Sequence, residues 1–344
     1  RRGPWWQYAV EEAKAVRSGV GLIDATAFTK HILKGPGATN FLNWFTCNRL
    51  PKVGRINLTY ALTNHGTTRT EYTIVRNAED SYYLVSAGAW SSYDADYLRK
   101  AAEDKLEEFG YVEIHDVTSQ WGVFALAGPK SRDLLKEIIN DADVETVLSN
   151  KRFPWLSKKE IEIGMCPVNA IRVAYTGELG WELHHPIEMQ NYLWDRLLLA
   201  GANYGLKLVG ARAQNWLRQE KSYRAFGTEL GRDATPLEAD LSRFIDQEKD
   251  FFGKENMENK GVRTKCVTLI INGPDDADPW GREALYLSDG TKVGRLTSGG
   301  YSVVFGKSIG MGYVRPDLAI QGQKLKVKMF NSLWDVEVTC DSPY

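Results

Sequence analysis

Cysteine is scarce in this chain of 344 residues. Cys47, Cys166, Cys266 and Cys340 stand far apart, with no C-x-x-C pair. That spacing excludes zinc fingers, cysteine-held iron–sulfur clusters and a disulfide scaffold, and it fits a reducing compartment. The five histidines, His31, His65, His115, His184 and His185, show no H-x-x-x-H spacing. The adjacent pair at 184 and 185 would point to opposite faces of a strand, so no metal site is expected. No apolar run approaches the roughly 18 residues that cross a bilayer. The formal net charge is −1 and the charges are scattered without a basic stripe. Neither a membrane nor a nucleic acid is therefore an expected partner. The opening Arg1-Arg2-Gly3-Pro4-Trp5-Trp6 does not read as a signal peptide, and the first residue is not Met, which suggests a processed form or an excised piece. These features lead to an expected cytoplasmic location, or the mitochondrial matrix if the source is eukaryotic.

Several nucleotide and catalytic motifs are also missing. No G-x-G-x-x-G follows a strand, so neither a flavin nor a nicotinamide dinucleotide is expected. Gly300 to Ser308 has five residues between its glycines where a phosphate loop needs four, in a β-rich region with no helix pattern after it. No G-x-S-x-G nucleophile elbow occurs.

Aromatic residues are plentiful: 11 Trp, 16 Tyr and 12 Phe. They serve either a bulky core or a pocket that stacks a flat ring. Helical periodicity covers residues 7–18, 38–46, 89–109, 188–201 and 211–222, with a further helix from Gly128-Pro129 through Ile139. Period-two alternation marks strands at Ile56–Leu62, Glu71–Val75, Tyr82–Val85, Val123–Leu126 and Ala170–Tyr175. Strand-rich blocks broken by helices indicate an α+β fold, not a doubly wound sheet. From about residue 262 the pattern changes to short strands separated by Gly, Asp and Asn turns, which close into a small barrel or sandwich. The expected division is residues 1–255 and 262–344.

Two hairpins carry polar residues where strands bury or present something. One brings Tyr60 towards Glu71 across Asn64-His65-Gly66. The other is Tyr175-Thr176-Gly177-Glu178-Leu179-Gly180-Trp181-Glu182, in which Trp181 and Leu183 share a face and Glu182 points the other way. A carboxylate there is either a solvated or ion-paired surface group or an acceptor for a ring edge bearing two N–H donors. Spacing does not choose between these readings.

Ordered motifs run along the whole chain. They are Val20-Gly21-Leu22-Ile23-Asp24, Leu62-Thr63-Asn64-His65-Gly66 with Glu71, Leu126-Ala127-Gly128-Pro129, Tyr175 to Leu183, Leu217 to Gly227, Thr235-Pro236-Leu237-Glu238-Ala239 and Thr297 to Ser302. With them the chain resembles the aminomethyltransferase (T-protein) family, and within it the folate-binding half of dimethylglycine and sarcosine dehydrogenases and oxidases. The resemblance implies three lobes around a central channel, two from about residues 1–255 and a small C-terminal β-barrel. It implies tetrahydrofolate as cofactor, with Glu182 holding the pterin, Tyr175, Tyr60 and Arg224 beside the folate, and Glu71 as the catalytic acid. At an ordinary pKa of about 4.3 that carboxyl would be ionised at pH 7.

Three positions depart from the family pattern. Glu71 replaces the usual Asp, Thr67 the usual second Gly, and Gln214 an Arg that contacts folate in glycine-cleavage members. The last favours the methylamine branch. The implied reaction captures a methylene group from a methylated amine or its iminium and gives 5,10-methylenetetrahydrofolate. The oxidation that makes the iminium falls to a flavin-dependent dehydrogenase subunit or domain. Direct demethylation of an onium or methyl donor, and a non-catalytic scaffold or regulatory role, are the alternatives. The purified chain is accordingly expected to be colourless. A stoichiometric yellow chromophore with flavin absorption would overturn that division of labour.

Overall fold

The structure is a computed structural model that describes residues Arg1–Tyr344. Alternation in the first third builds a five-stranded antiparallel sheet, ordered Ile56–Leu62, Thr68–Ala78, Ser81–Ser86, Thr29–Lys34 and Glu113–Asp116. Tyr72, Ile74, Tyr82 and Leu84 fill one face. They pack beneath Phe41, Leu42 and Phe45 of the helix Ala38–Phe45 and Leu98 of the helix Ser91–Asp104.

A second sheet of six strands is ordered Lys207–Leu208, Gly21–Asp24, Trp121–Ala127, Gly180–Pro186, Cys166–Ile171 and Lys158–Ile163. Trp181, Leu183, Phe124 and Leu126 turn to its outer face, where Leu134 and Leu135 of one helix and Leu193 and Leu197 of another cover them. The remaining faces of the two sheets meet through Ile56, Val75, Tyr83, Val85 and Ile171. The layers are therefore helix, sheet, sheet, helix, and what points into the sheet–sheet gap lies between two rigid walls.

Six strands from Lys265 to Val338 close into a barrel around Leu269, Leu285, Leu296, Val327 and Val336. The barrel docks through the helix Ala211–Glu220. Trp216 packs on Ala9 and Val10 of the first helix and meets Tyr301 of the barrel edge-on at 5.9 Å. A Cβ at Gly300 would lie 2.1 Å from the Trp216 ring, so only glycine fits this contact.

The fold agrees with the expected α+β, three-lobed class. Some elements differ from the sequence reading. The helix expected over 89–109 breaks at Lys105, whose ammonium sits 4.8 Å over Trp44, and the short piece Leu106–Phe109 lets Phe109 meet the same indole at 5.9 Å. The strand expected to reach Tyr175 ends at Ile171, because its partner begins pairing at Glu182. Tyr175 therefore lies on a loop. The edge strand Glu113–Asp116 escaped detection, since its half-exposed, charged sequence shows no apolar alternation. Gly300 to Ser308 is the hairpin between two barrel strands, as the rejection of a phosphate loop required.

The Asn64-His65-Gly66 turn seats on the helix Lys254–Lys260. Gly66 has φ +75°, and a Cβ there would lie 2.2 Å from the backbone nitrogen of Met257. Gly54 has the same φ with nothing within 4 Å. Gly54→Ala should cost about 1 kcal/mol from backbone strain alone, and Gly66→Ala about 3 kcal/mol because the seat must also shift. Urea midpoints measure both, and equal losses would show that the turn is not tightly seated.

Candidate active site between the two sheets

Register decides which side chains enter the gap. Tyr60 stands directly opposite Glu71, and Ile56 opposite Val75, with an unbroken register between. Glu71, Thr73 and Val75 thus share the inward face, while Tyr72 and Ile74 belong to the outer core. Val75 in turn pairs with Tyr83. On the facing sheet Glu182 pairs with Ile171 and Ala125, and it points inward as its neighbours Trp181 and Leu183 point out. Both carboxylates singled out from the sequence therefore face the space between the sheets. Four residues of strand separate Glu71 from the partner of Tyr83, a span of about 13 Å.

The two carboxylates sit in different surroundings. Glu71 makes no salt bridge; its neighbours Arg69 and Arg76 pair instead with Asp94 and Glu79, each at 3.1 Å. The surface ion pair left open by the sequence is thus not formed. Burial raises the Glu71 pKa to about 7, against the nearby Arg218 guanidinium and Tyr60 hydroxyl, which both favour the charged form. The carboxyl expected to be fully ionised at neutral pH is instead balanced between its two forms, because desolvation outweighs both stabilising contacts. Tyr60 is buried against Leu230, Ala239, Leu241 and Ile245. Glu182, at 12% side-chain exposure, has Oε2 within 3.3 Å of His184 Nε2.

Tyr175 reaches the Glu71 side of the gap from its loop. Its hydroxyl donates to the Arg224 carbonyl at 3.1 Å, and its ring stacks against Tyr223 with centroids 6.2 Å apart. Burial raises its pKa, and the nearest charges are Arg218, Glu71 and Glu229. Arg17 fastens this loop. Its guanidinium donates to the Thr176 carbonyl at 2.8 Å, to Glu178 at 2.9 Å and to Glu220 at 2.6 Å. Arg224 contributes its backbone to the site. Its side chain turns away, donating to the Ala239 carbonyl at 2.8 Å, to the Ser222 carbonyl and to Asp341 at 2.8 Å. Gln214, on the helix beside these groups, is half-buried.

Sequence reasoning passed over Arg218 and Glu229. They form a fully buried ion pair at 2.7 Å, and Arg218 also donates to Ser298 Oγ at 2.6 Å and the Tyr223 carbonyl at 2.7 Å. Burial alone would raise the Glu229 pKa, but Arg218 and the hydroxyls of Ser298, Thr297 and Thr228 hold it low. For the neighbouring Glu220, which binds Arg17, a signal was available: it continues the apolar series Ala213 and Leu217 on the buried helix face, where a charge is out of place unless paired. Beyond Glu229 opens a cleft of about 780 Å³, walled by Arg69, Trp90, Tyr93, Phe226 and Arg295. None of Tyr60, Glu71, Tyr175 or Glu182 lines it.

Residues 1–249 match the GCVT N-terminal domain and residues 265–344 the glycine cleavage T-protein C-terminal barrel domain. The chain is 36% identical over 335 residues to mitochondrial dimethylglycine dehydrogenase of Rattus norvegicus, covering 96% of this chain and 38% of that protein. It is 30% identical over 356 residues to a probable aminomethyltransferase of Thermococcus kodakarensis, covering 94% of this chain and 86% of that one. The chain thus spans about two fifths of the length of the mammalian dehydrogenases that it matches. Its fold superposes on the glycine cleavage system aminomethyltransferase T of Bartonella henselae with a TM-score of 0.85 at 22% identity, over 100% of this chain and 91% of that one. With both halves matched in order, the chain belongs to the aminomethyltransferase (glycine cleavage T-protein) family, a family of tetrahydrofolate-dependent transferases.

Proposed function

We propose that this chain transfers a one-carbon unit from a methylated amine such as dimethylglycine or sarcosine to tetrahydrofolate. The unit arrives as an iminium made by a flavin-dependent dehydrogenase on another chain or domain. The observation that carries this reading is the pair of inward carboxylates, one poised near neutral pH and the other with an open oxygen, on facing walls of one gap. Likeness to dimethylglycine dehydrogenase over 96% of the chain supports the choice of amine, as does Gln214.

The residues present fit tetrahydrofolate. The unpartnered oxygen of Glu182 suits the two adjacent N–H donors of a pterin edge. Tyr60 and Tyr175 supply apolar faces with polar tips at the other end of the gap. When bound, tetrahydrofolate supplies the nitrogens that take up the carbon and leave with it as 5,10-methylenetetrahydrofolate. Glu71 accepts the proton that a nitrogen loses on forming its bond to carbon, and can return it to the donor nitrogen as the carbon–nitrogen bond to the donor breaks and the amine leaves. A base works best when its pKa lies near the working pH, which is where burial sets this one. The nearby Tyr60 hydroxyl and Arg218 guanidinium offset part of the cost of its charge.

Three measurements check these roles. Glu182→Gln should weaken tetrahydrofolate binding by about 1.5–3 kcal/mol in calorimetry, the worth of a hydrogen bond to a charged group. Unchanged affinity would remove Glu182 from the site. Glu71→Gln should keep that affinity and slow turnover by about 10²–10⁴, with Glu71→Asp retaining more activity than Gln. The assay supplies a formaldehyde–amine mixture, and the uncatalysed condensation is subtracted.

Wild-type turnover should fall as pH drops through about 7, and the Gln variant should lose that limb. Stability carries the opposite sign. A carboxyl whose pKa is raised on folding binds its proton more tightly in the folded state, so its contribution is complete below its ordinary range and is lost as pH rises towards 7. Relative to Glu71→Gln, the parent should therefore lose melting temperature between about pH 4.5 and 7. A constant difference across that window would show an unperturbed carboxyl.

A further inference from the structure

Glu182 is held by a relay that crosses the gap. It stands two residues before His184 on one strand, so both side chains leave the same face. Tyr83 meets His184 from the opposite sheet, its hydroxyl 3.0 Å from Nδ1 and its ring edge-on at 5.5 Å and 83°. The other ring nitrogen, Nε2, lies 3.3 Å from Glu182 Oε2. His184 is fully buried and Tyr83 is 8% exposed.

Burial does not by itself produce such a chain. His31 is equally buried on the first sheet, and neither of its ring nitrogens has a partner. At His184 both nitrogens are bonded, and one neutral tautomer satisfies both bonds. An ionised carboxylate only accepts, so Nε2 donates to Glu182. A neutral imidazole has one proton, so Nδ1 is bare and accepts from the Tyr83 hydroxyl. The relay reads Tyr83 to His184 to Glu182, across two sheets.

The flanks of Glu182 on its own sheet, Ala125 and Ile171, offer no side-chain hydrogen bond. His184 is therefore the side chain that restrains the carboxylate. It engages Oε2, and Oε1 has no protein hydrogen-bond partner. A glutamate held at no point loses rotamer freedom when it binds a ligand, and prior restraint removes that cost.

We propose that Tyr83 and His184 are positioning residues for ligand recognition, fixing the Glu182 carboxylate as a pure acceptor with one edge open to a ring that presents two adjacent N–H donors. This rests on the assignment of Glu182 to the pterin. Neither residue touches the reacting atoms. Their effect is on affinity and leaves the chemical step unchanged.

The test is tetrahydrofolate binding by calorimetry to the full chain and its variants, with turnover measured alongside at saturating folate. His184→Ala should weaken binding about tenfold and Tyr83→Phe by a smaller factor, both with kcat close to that of the parent. His184→Gln should restore most of the affinity, since its amide can donate to Oε2. In a Glu182→Gln background, His184→Ala should add nothing further. Nitrogen-15 spectra should show His184 protonated at Nε2 and bare at Nδ1, and Tyr83→Phe should weaken that preference without abolishing it.

If Glu182→Gln weakens binding while Tyr83→Phe and His184→Ala bind like the parent, the relay is overturned and the role of Glu182 survives. If Glu182→Gln itself binds like the parent, both are overturned. An equal loss from His184→Ala in the two backgrounds marks a structural effect and overturns the proposal, as does a His184 found protonated at Nδ1. Should His184→Ala fail to fold, Tyr83→Phe and His184→Gln still decide, because each keeps the packing volume.

Discussion

The architecture depends on charges buried where its three lobes meet. Arg218 and Glu229 pair at 2.7 Å with almost no exposure, and the same guanidinium reaches Ser298 in the barrel. Two residues on, Glu220 binds Arg17 of the first helix, Ser302 of the barrel and, through Arg17, the loop that bears Tyr175. Removing one member of a buried pair costs about 3–5 kcal/mol, because the other is left charged and dry. Replacing such a buried pair by apolar groups of similar volume is often neutral or stabilising, so what this junction adds is directional contact between separate elements. That contact sets the loop, the helix and the barrel in register around the gap.

The gap inherits its properties from the walls. Helices cover the outer faces of both sheets, so the inner faces are free to carry polar groups at positions that alternation selects. Glu71 and Glu182 have the same side chain and differ by environment. One is desolvated beside a tyrosine hydroxyl and a guanidinium, and is poised to exchange a proton. The other keeps a partly open edge beside a histidine, and is suited to recognition. The roles proposed for them rest on these surroundings, and the fold alone would not distinguish them.

Much of this was legible in the residues. Period two marked the hairpin that sets Tyr60 against Glu71, and it turned Trp181 and Leu183 away from Glu182. The dense turns after residue 262 announced the barrel. The ordered motifs pointed to the family that the domain matches establish. What failed did so for local physical reasons. Tyr175 looked like a strand residue because apolar alternation continues past Ile171, but a strand exists only where a partner pairs with it. Arg224 sat within a motif, yet its side chain serves Asp341 and the Ala239 carbonyl while its own carbonyl holds Tyr175.

By itself the sequence determined the element types, the α+β class, the turning of Glu182 away from Trp181 and Leu183, and the kinship that implies folate. These depend on neighbours within a few residues, or on motif order along the chain. Only the tertiary structure decided the state of Glu71, the Arg218–Glu229 pair and the Tyr83–His184 link to Glu182. Each joins residues from separate elements: Tyr83 and His184 are 101 positions apart, and Arg218 and Ser298 are 80. Desolvation and hydrogen-bond partnership are properties of what the folded chain brings into contact, and no spacing along the backbone encodes them.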